Sequence, residues 1–209
     1  MGPTVFLDNL GERAGGVLFW NKNRYNRNMK TEKTILEGVV IIEPDVFSDD
    51  RGFFIETFQE ERYQHILGAD VHFVQDNLSS SQKGVLRGLH YQAPPFGQAK
   101  LVQVVKGRVL DVAVDIRFGS PTFGQFVMVE LSGENHKQFF IPEGFAHGFI
   151  ALENDTLFQY KCTNVYSKAH ERGIIWNDKA IGIEWGIKHP LVSGKDNEHP
   201  LLKNISDYF

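Results

Sequence analysis

The residues of this chain with the clearest chemical potential lie between Val85 and Gly107, in the stretch VLRGLHYQAPPFGQAKLVQVVKG. This stretch holds a single imidazole, that of His90, and the ammonium of Lys100 follows ten residues later. An imidazole has an unperturbed pKa of ~6.5, so it can take up a proton at neutral pH. A fixed ammonium nearby can stabilise an anion that this proton transfer creates. The two groups therefore predict chemistry built on a histidine and a nearby fixed positive charge.

A second stretch, IPEGFAHGF at 141–149, carries another imidazole, that of His147. The two stretches resemble the paired motifs of a cupin-type barrel, whose metal-binding form has a His-x-His pair, then a Glu, six residues and a Gly. Here Gln92 replaces the second His, and Lys100 occupies the Glu position when residues 94–97 are taken as an insertion. A protonated lysine does not ligate a cation, and two imidazoles are fewer ligands than a stable transition-metal site usually needs. We therefore expect metal-free chemistry without a cofactor.

Length, charge and cysteine content limit the class of protein. With 209 residues, the chain is long enough for one domain with a substantial core. Its net charge of −4 argues against a nucleic-acid or membrane-surface partner. The only cysteine, Cys162, cannot form an internal disulfide, which predicts a cytoplasmic protein. No apolar run approaches the ~18 residues of a membrane span.

The elements that must position the reactive groups are mainly strands. Short runs rich in Val, Ile and Phe alternate with Gly, Pro and Asn turns, which is typical of an antiparallel sandwich or barrel. Predicted strands cover residues 39–42, 53–58, 101–105, 108–116, 126–131, 138–141, 148–152 and 157–163, and residues 59–67 form a short helix. The pattern predicts an all-β fold, a cupin-like jelly-roll barrel or sandwich with short peripheral helices.

Residues 1–28 differ in composition from the rest of the chain. They mix Gly, Asn and Arg around one apolar patch at 17–20. We expect residues 29–209 to form a single domain and residues 1–28 to be an extension, either disordered or a translation-start artefact. The alternative is an arm that packs on a partner subunit.

Eight short segments carry a family resemblance. They are DDRGFFIETF (49–58), QDN (75–77), LRGLHYQ (86–92), QAKLVQVVKG (98–107), PEGFAHGF (142–149), QYKCT (159–163), WND (176–178) and SGKD (193–196). In this order and spacing they closely resemble the dTDP-4-dehydrorhamnose 3,5-epimerase family, over about residues 32 to 205. The resemblance implies an enzyme that inverts C3 and C5 of a dTDP-linked 4-keto-6-deoxy sugar.

Epimerisation next to a ketone needs a base on one face, an acid on the other and a group that holds the enolate oxygen. The resemblance assigns the base to His90, with Asp196 orienting the ring and stabilising the imidazolium that forms. It assigns the acid to Tyr160, whose phenol is protonated at neutral pH. Lys100 is the candidate for the C4 oxyanion. Tyr166 is an alternative acid, or stacks on the thymine.

Other residues are candidates for substrate binding. Arg51 and Arg87 are candidate diphosphate contacts, because a guanidinium matches phosphate oxygens in a bidentate way. Gln75 and Asn77 can hydrogen-bond the base or the sugar. The resemblance adds Glu56, Asp76, His147, Glu171 and Lys195. It also implies a homodimer with exchanged N-terminal strands, in which the region of Arg51 enters the partner's site. We expect the remaining histidines to lie at the surface or to be incidental: His65, His72, His136, His170, His189 and His199.

Three other functions stay open at this point. The closest is an epimerase that inverts only C3, against which Tyr160 argues because a second protonation needs a well-placed acid. A non-catalytic cupin-like protein that binds nucleotide sugars would not need both a base and an acid. A metal-dependent cupin oxygenase or isomerase lacks its ligands.

Overall fold

The computed structural model describes residues 29–206 and Phe209. The predicted extension at 1–28 lies outside these residues. Within them, the strands are β1 (Lys30–Lys33), β2 (Val40–Glu43), β3 (Val46–Asp49), β4 (Gly52–Ile55), β5 (Gln75–Ser81), β6 (Val85–Gln92), β7 (Lys100–Lys106), β8 (Arg108–Asp115), β9 (Phe126–Ser132), β10 (Gln138–Ile141), β11 (Phe145–Ala151), β12 (Thr156–Cys162), β13 (Glu171–Gly173) and β14 (Leu191–Val192). The helices are α1 (Glu60–Leu67), α2 (Gly194–Asn197) and one 3₁₀ turn at Leu202–Asn204.

The strands form two large sheets. In the first sheet the order is β1-β2-β10-β7-β12-β5, and in the second it is β13-β6-β11-β8-β9. Neighbouring strands in both orders are antiparallel, whereas β14 adds to β6 in parallel. Strands β3 and β4 form a separate hairpin. This architecture confirms the predicted all-β, cupin-like sandwich with short helices at its periphery.

Three apolar clusters hold the layers together. The central cluster lies between the sheets and joins Val102 and Phe158 of the first sheet to Ala113 and Phe149 of the second. A second cluster covers the outer face of the second sheet with the C-terminal segment, which includes Trp185. The third cluster packs α1 against the outer face of the first sheet. Because both faces of the two sheets are buried, several strands have continuous apolar sequences.

Strand alternation directs the reactive side chains into the space between the sheets. Successive side chains of a strand point to opposite faces. On β7, Lys100 points to the same face as Val102, and Val102 belongs to the central cluster. On β12, Tyr160 points to the same face as Phe158, which also belongs to that cluster. On β6, Leu89 belongs to the outer cluster, so its neighbour His90 faces inward. The two sheets therefore contribute facing halves of one site.

A close approach of two glycines brings β6 and β11 together at this site. A Cβ built on Gly88 would lie 2.6 Å from the Cα of Gly148, and Gly88 has a φ of +125°. A side chain at Gly88 would therefore both collide with β11 and strain the backbone. The register of these strands places His147 directly opposite His90. The glycines thus keep two histidines of different strands adjacent.

Most predicted elements are present, with some differences in their ends. Helix α1 and the strands between residues 101 and 163 agree with the prediction to within about three residues. The strand predicted at 53–58 ends earlier, at Ile55, and pairs with β3 in the hairpin. The predicted strands do not include β5, in which Leu78 is the only apolar residue. None of the helices in the described residues is long and apolar enough to cross a bilayer.

Candidate active site

His90, near the C-terminal end of β6, forms a hydrogen-bonded pair with Asp196 of α2. The Nε2 atom of His90 lies 2.8 Å from Oδ1 of Asp196. Because a carboxylate only accepts hydrogen bonds, Nε2 of the neutral ring carries the proton and Nδ1 carries the lone pair. The side chain of His90 is 30% exposed, whereas that of Asp196 is 6% exposed. The pair therefore presents an oriented basic nitrogen that a substrate can reach.

The backbone holds the carboxylate of Asp196 in place. Its Oδ2 accepts a hydrogen bond from the N–H of Gly88 at 3.2 Å, and Ser193 caps α2 by accepting the N–H of Asp196 at 3.1 Å. Burial raises the pKa of Asp196, but hydrogen bonds and the charge of His90 outweigh it, so the pKa ends below its usual value. Asp196 is thus an anion able to stabilise an imidazolium at His90.

Lys100 lies at the start of β7, next to Cys162 of β12 in the strand register. Burial lowers the pKa of its ammonium, while negative charge on Cys162, Asp111 or Glu171 opposes this shift. A cation in such a poorly solvated place interacts strongly with any anion that forms beside it. Lys100 is therefore suited to hold an enolate oxygen.

Tyr160 and Tyr166 occupy different environments. Burial raises the pKa of the Tyr160 phenol, so it keeps its proton at neutral pH. Tyr166 is 54% exposed, and its hydroxyl donates to Glu171 Oε2 at 2.8 Å. Glu171 is within electrostatic range of Tyr160, Lys100 and His90. Tyr160 therefore shares the inner space with His90, whereas the more exposed Tyr166 lies at the edge of that space.

A second buried pair, His147 and Asp111, was not predicted as a pair. Nε2 of His147 lies 3.0 Å from both carboxylate oxygens of Asp111. Burial raises the pKa of Asp111 and lowers the pKa of His147, and the attraction between the two groups opposes both shifts. The sequence did carry a signal, since Asp111 alternates with Val109 and Ala113 on the inward face of an apolar strand.

Comparison with known proteins identifies the family. A sequence model described as dTDP-4-dehydrorhamnose 3,5-epimerase matches residues 33–204.

The chain belongs to the dTDP-4-dehydrorhamnose 3,5-epimerase family.

Relatives within this family differ in their degree of similarity. The dTDP-4-dehydrorhamnose 3,5-epimerase of Shigella flexneri is 56% identical over 168 residues, which cover 80% of this chain and 93% of the relative. The crystal structure of the Legionella pneumophila 3,5-epimerase in complex with dTDP-4-keto-L-rhamnose has a TM-score of 0.83 and 51% identity, covering 85% of this chain and 95% of that one. A dTDP-4-dehydrorhamnose 3-epimerase of Streptomyces niveus is 36% identical, covering 82% of this chain and 83% of the relative.

Several residues expected to bind substrate in this epimerase family lie around the inner space. Lys195 pairs with Glu171 at 2.5 Å, next to the hydroxyl of Tyr166. Gln75 accepts the N–H of Tyr166 at 2.9 Å and donates to Asn77 at 3.0 Å. These side chains form one connected polar group.

Arg87 lies further along β6. Its guanidinium donates to Ser81 Oγ and to the Ser80 carbonyl, both at 3.1 Å. Arg87 is within electrostatic range of Tyr160. These contacts place the guanidinium near the proposed acid.

Three other candidates are not part of this group within the chain itself. Arg51 stands at the tip of the β3–β4 hairpin, pairs with Asp49 of the same turn and has an 83% exposed side chain. Glu56 pairs with Arg62 of α1 at 2.9 Å. Asp76 pairs with Lys161 at 2.8 Å, on the face of the first sheet opposite Tyr160.

Gln92, which replaces a cupin metal ligand, has a structural role. Its amide donates to the carbonyls of Phe96 at 2.7 Å and Val165 at 3.1 Å, and its oxygen accepts the N–H of Ser167 at 2.6 Å. Because both ends of the amide hold loops together, Gln92 is not available as a ligand.

His199 was expected to lie at the surface or to be incidental, and the structure does not place it at the surface. Its side chain is only 11% exposed, and its ring meets that of His90 edge to face at 5.7 Å. Sequence reasoning had no signal for this contact, because His199 follows the short helix α2 in a polar segment.

A cavity beside the end of α1 does not coincide with the candidate site. A cavity of about 530 Å³ lies between residues 33–40 and the end of α1, and its lining contains none of the candidate catalytic residues. The candidate active site is therefore defined by the inward-facing side chains and not by this cavity.

Proposed function

We propose that this chain inverts C3 and C5 of dTDP-4-dehydro-6-deoxy-D-glucose and so produces dTDP-4-dehydro-L-rhamnose. The observation that carries the proposal is the His90–Asp196 pair, which opens on the inner space shared with Lys100 and Tyr160. The names of the Shigella flexneri and Legionella pneumophila relatives support the same activity.

The reaction begins with proton removal from a carbon next to the C4 ketone. Nδ1 of His90 takes the proton, and the electron pair of the C–H bond moves into an enolate whose charge lies on O4. Asp196 stabilises the imidazolium, and Lys100 stabilises the oxyanion. Since C3 and C5 both neighbour C4, one oxyanion contact serves both carbons.

The reaction ends with proton return on the opposite face. Tyr160 gives its phenolic proton to the enolate carbon, which restores the ketone with inverted configuration. The tyrosinate and the imidazolium then regain their starting protonation by exchange with solvent. The cycle has no net redox change and needs no metal or cofactor.

The dTDP group requires contacts for a diphosphate and a base. We assign Arg87 to the diphosphate, and Gln75, Asn77 and Tyr166 to the sugar or thymine. Glu171 and Lys195 form an ion pair beside these residues.

The single thiol, Cys162, is buried and free, which fits a cytoplasmic location. Cell fractionation would test that location.

We also propose a homodimer in which the β3–β4 hairpin enters the partner's site. The hairpin is hydrogen-bonded to neither large sheet, and its Phe53 is 62% exposed, close to the exposed Arg51. In this arrangement Arg51 and Glu56 act in the partner's site.

Refolding an equal mixture of inactive Arg51→Ala and His90→Asn chains should restore about a quarter of the activity. Half of the dimers then contain one chain of each kind, and one of the two sites in each such dimer is intact. Recovery of no activity would contradict the exchange.

Hydrogen exchange with solvent tests the proposed activity directly. We expect that incubation of the 4-keto sugar nucleotide in D2O gives a product with deuterium at both C3 and C5, measured by NMR and mass spectrometry. Label at C3 alone would instead show a C3 epimerase, and absence of label would show a binding protein. Either result would overturn the proposal.

The same experiment separates the two candidate acids. Tyr160→Phe should still exchange hydrogen at C3, since His90 remains, but should form the doubly inverted product at least about tenfold more slowly. Tyr166→Phe is the matched control, because it removes a hydroxyl at the exposed rim. If Tyr166→Phe showed the larger defect in product stereochemistry, Tyr166 would be the acid.

A further inference from the structure

His199 turns the His90–Asp196 pair into a group of three potential metal ligands. Nε2 of His199 lies 3.7 Å from Oδ1 of Asp196, the same oxygen that bonds His90 at 2.8 Å. The two ring nitrogens and this oxygen all lie within 4.8 Å of one another. We propose that His90, Asp196 and His199 bind a divalent transition-metal ion, with zinc as the best match, and that the bound ion inhibits the enzyme.

The donor set selects the class of metal. Two imidazoles and one carboxylate suit zinc and its transition-metal neighbours, whereas magnesium and calcium prefer oxygen ligands throughout. Zinc bonds of ~2.0–2.1 Å in a tetrahedral arrangement separate two ligand atoms by about 3.3 Å. The separations from Asp196 Oδ1, 2.8 Å to His90 and 3.7 Å to His199, lie on either side of that value. The two ring nitrogens lie within 4.8 Å of each other, so rotation of the imidazoles would bring all three atoms within bonding distance of one ion.

The surroundings of His199 favour a ligand role over a packing role. Its Nε2 is buried and has no hydrogen-bond partner among the residues that the structure describes. Buried polar atoms without a partner are uncommon, because their desolvation is not compensated. Gly173, which pairs with His90 across β13 and β6, lies against the ring, where a Cβ would collide with it. The fold thus leaves room for an imidazole whose free nitrogen points toward Asp196.

Metal binding at these atoms would prevent His90 from acting as the base. An ion on Nε2 of His90 replaces the proton there, and the neutral ring then carries its proton on Nδ1, which has no lone pair left to accept a proton from the substrate. The partly exposed edge of His90 gives the ion a route in. The ammonium of Lys195, within electrostatic range of His199, opposes the ion, so we expect affinity on the order of micromolar, weaker than that of structural zinc sites.

Direct binding tests the site independently of activity. The full chain, treated with a chelator, would be titrated with Co2+ by visible absorption and with Zn2+ by calorimetry. We expect about one ion per chain, and at least about tenfold weaker binding in both His199→Ala and His199→Phe, the second of which keeps a ring against Gly173. His189→Ala, which removes an exposed histidine elsewhere, should bind normally. Equal affinity in all four proteins would overturn the proposal.

Inhibition is the second measurement. This inhibitory part of the proposal rests on the proposed function. Zn2+ should inhibit the epimerase, Mg2+ at the same concentration should not, and EDTA should restore the rate. Half-inhibition should need at least about tenfold more Zn2+ in the His199 variants, each compared with its own metal-free rate. Equal inhibition of every variant would point to chelation of the diphosphate and would overturn this half. An inactive chain whose Co2+ binding still depends on His199 would refute the proposed function and support the site.

Discussion

Replacing His90 with asparagine should lower deuterium incorporation at C3 and C5 by about 10²–10⁴-fold. Asparagine keeps a polar side chain of similar size opposite Asp196, but it has no nitrogen that takes up a proton at neutral pH. The measurement is the initial rate of label incorporation from D2O, followed by NMR. His65→Asn is the matched control, since it makes the same change at an exposed position of α1 and should retain the wild-type rate.

Persistent exchange in His90→Asn would move the base to another histidine. The rival is His147, whose pairing with Asp111 repeats the geometry of the His90–Asp196 pair. His147 is 8% exposed, however, and burial lowers its pKa. A large loss of exchange in His147→Asn, together with a normal rate in His90→Asn, would therefore reverse the assignment.

Replacing Lys100 with methionine should lower kcat by about 10²–10³-fold, with a smaller change in KM. Methionine keeps much of the side-chain length and removes the charge. The loss should fall mainly on kcat because full negative charge on O4 develops only as the proton leaves carbon. The measurement is steady-state kinetics of wild type and variant with the 4-keto sugar nucleotide.

A second lysine of β7 provides the control for this substitution. Lys106 ends the same strand and is exposed, so Lys106→Met should leave kcat unchanged. The stability of Lys100→Met should equal or exceed that of wild type, since burial disfavours the ammonium in the folded state. A Lys100→Met protein that is well folded and fully active would show that another group holds the enolate oxygen.

The fold class and the inward-facing residues were largely predictable from the sequence. Alternation along a strand follows from backbone geometry alone, so the apolar residues around Lys100 and Tyr160 already indicated their face. Helix α1 was predictable because its limits coincide with Gln59, which caps it, and Gly68, which ends it. The strand β5 was not predictable, because six of its seven residues are polar.

The partners of the reactive residues were not predictable in the same way. Family resemblance linked Asp196 to His90, but 106 residues separate them, and spacing alone says nothing about such a contact. Asp111 meets His147 because β8 and β11 pair in one particular register. A shift of one residue in that register would turn every side chain of the strand to the other face.

By itself, the sequence determined the all-β pattern, the imidazole of His90 and the replacement of the cupin metal ligands by Gln92 and Lys100, because these depend on residue type and local periodicity. Only the tertiary structure decided that Gln92 holds loops, that Asp111 supports His147 and that His199 lies beside Asp196. The physical reason is that hydrogen bonds and short contacts depend on distances of a few ångströms between residues far apart in the chain. Such distances arise when the sheets pair, pack and enclose the C-terminal segment.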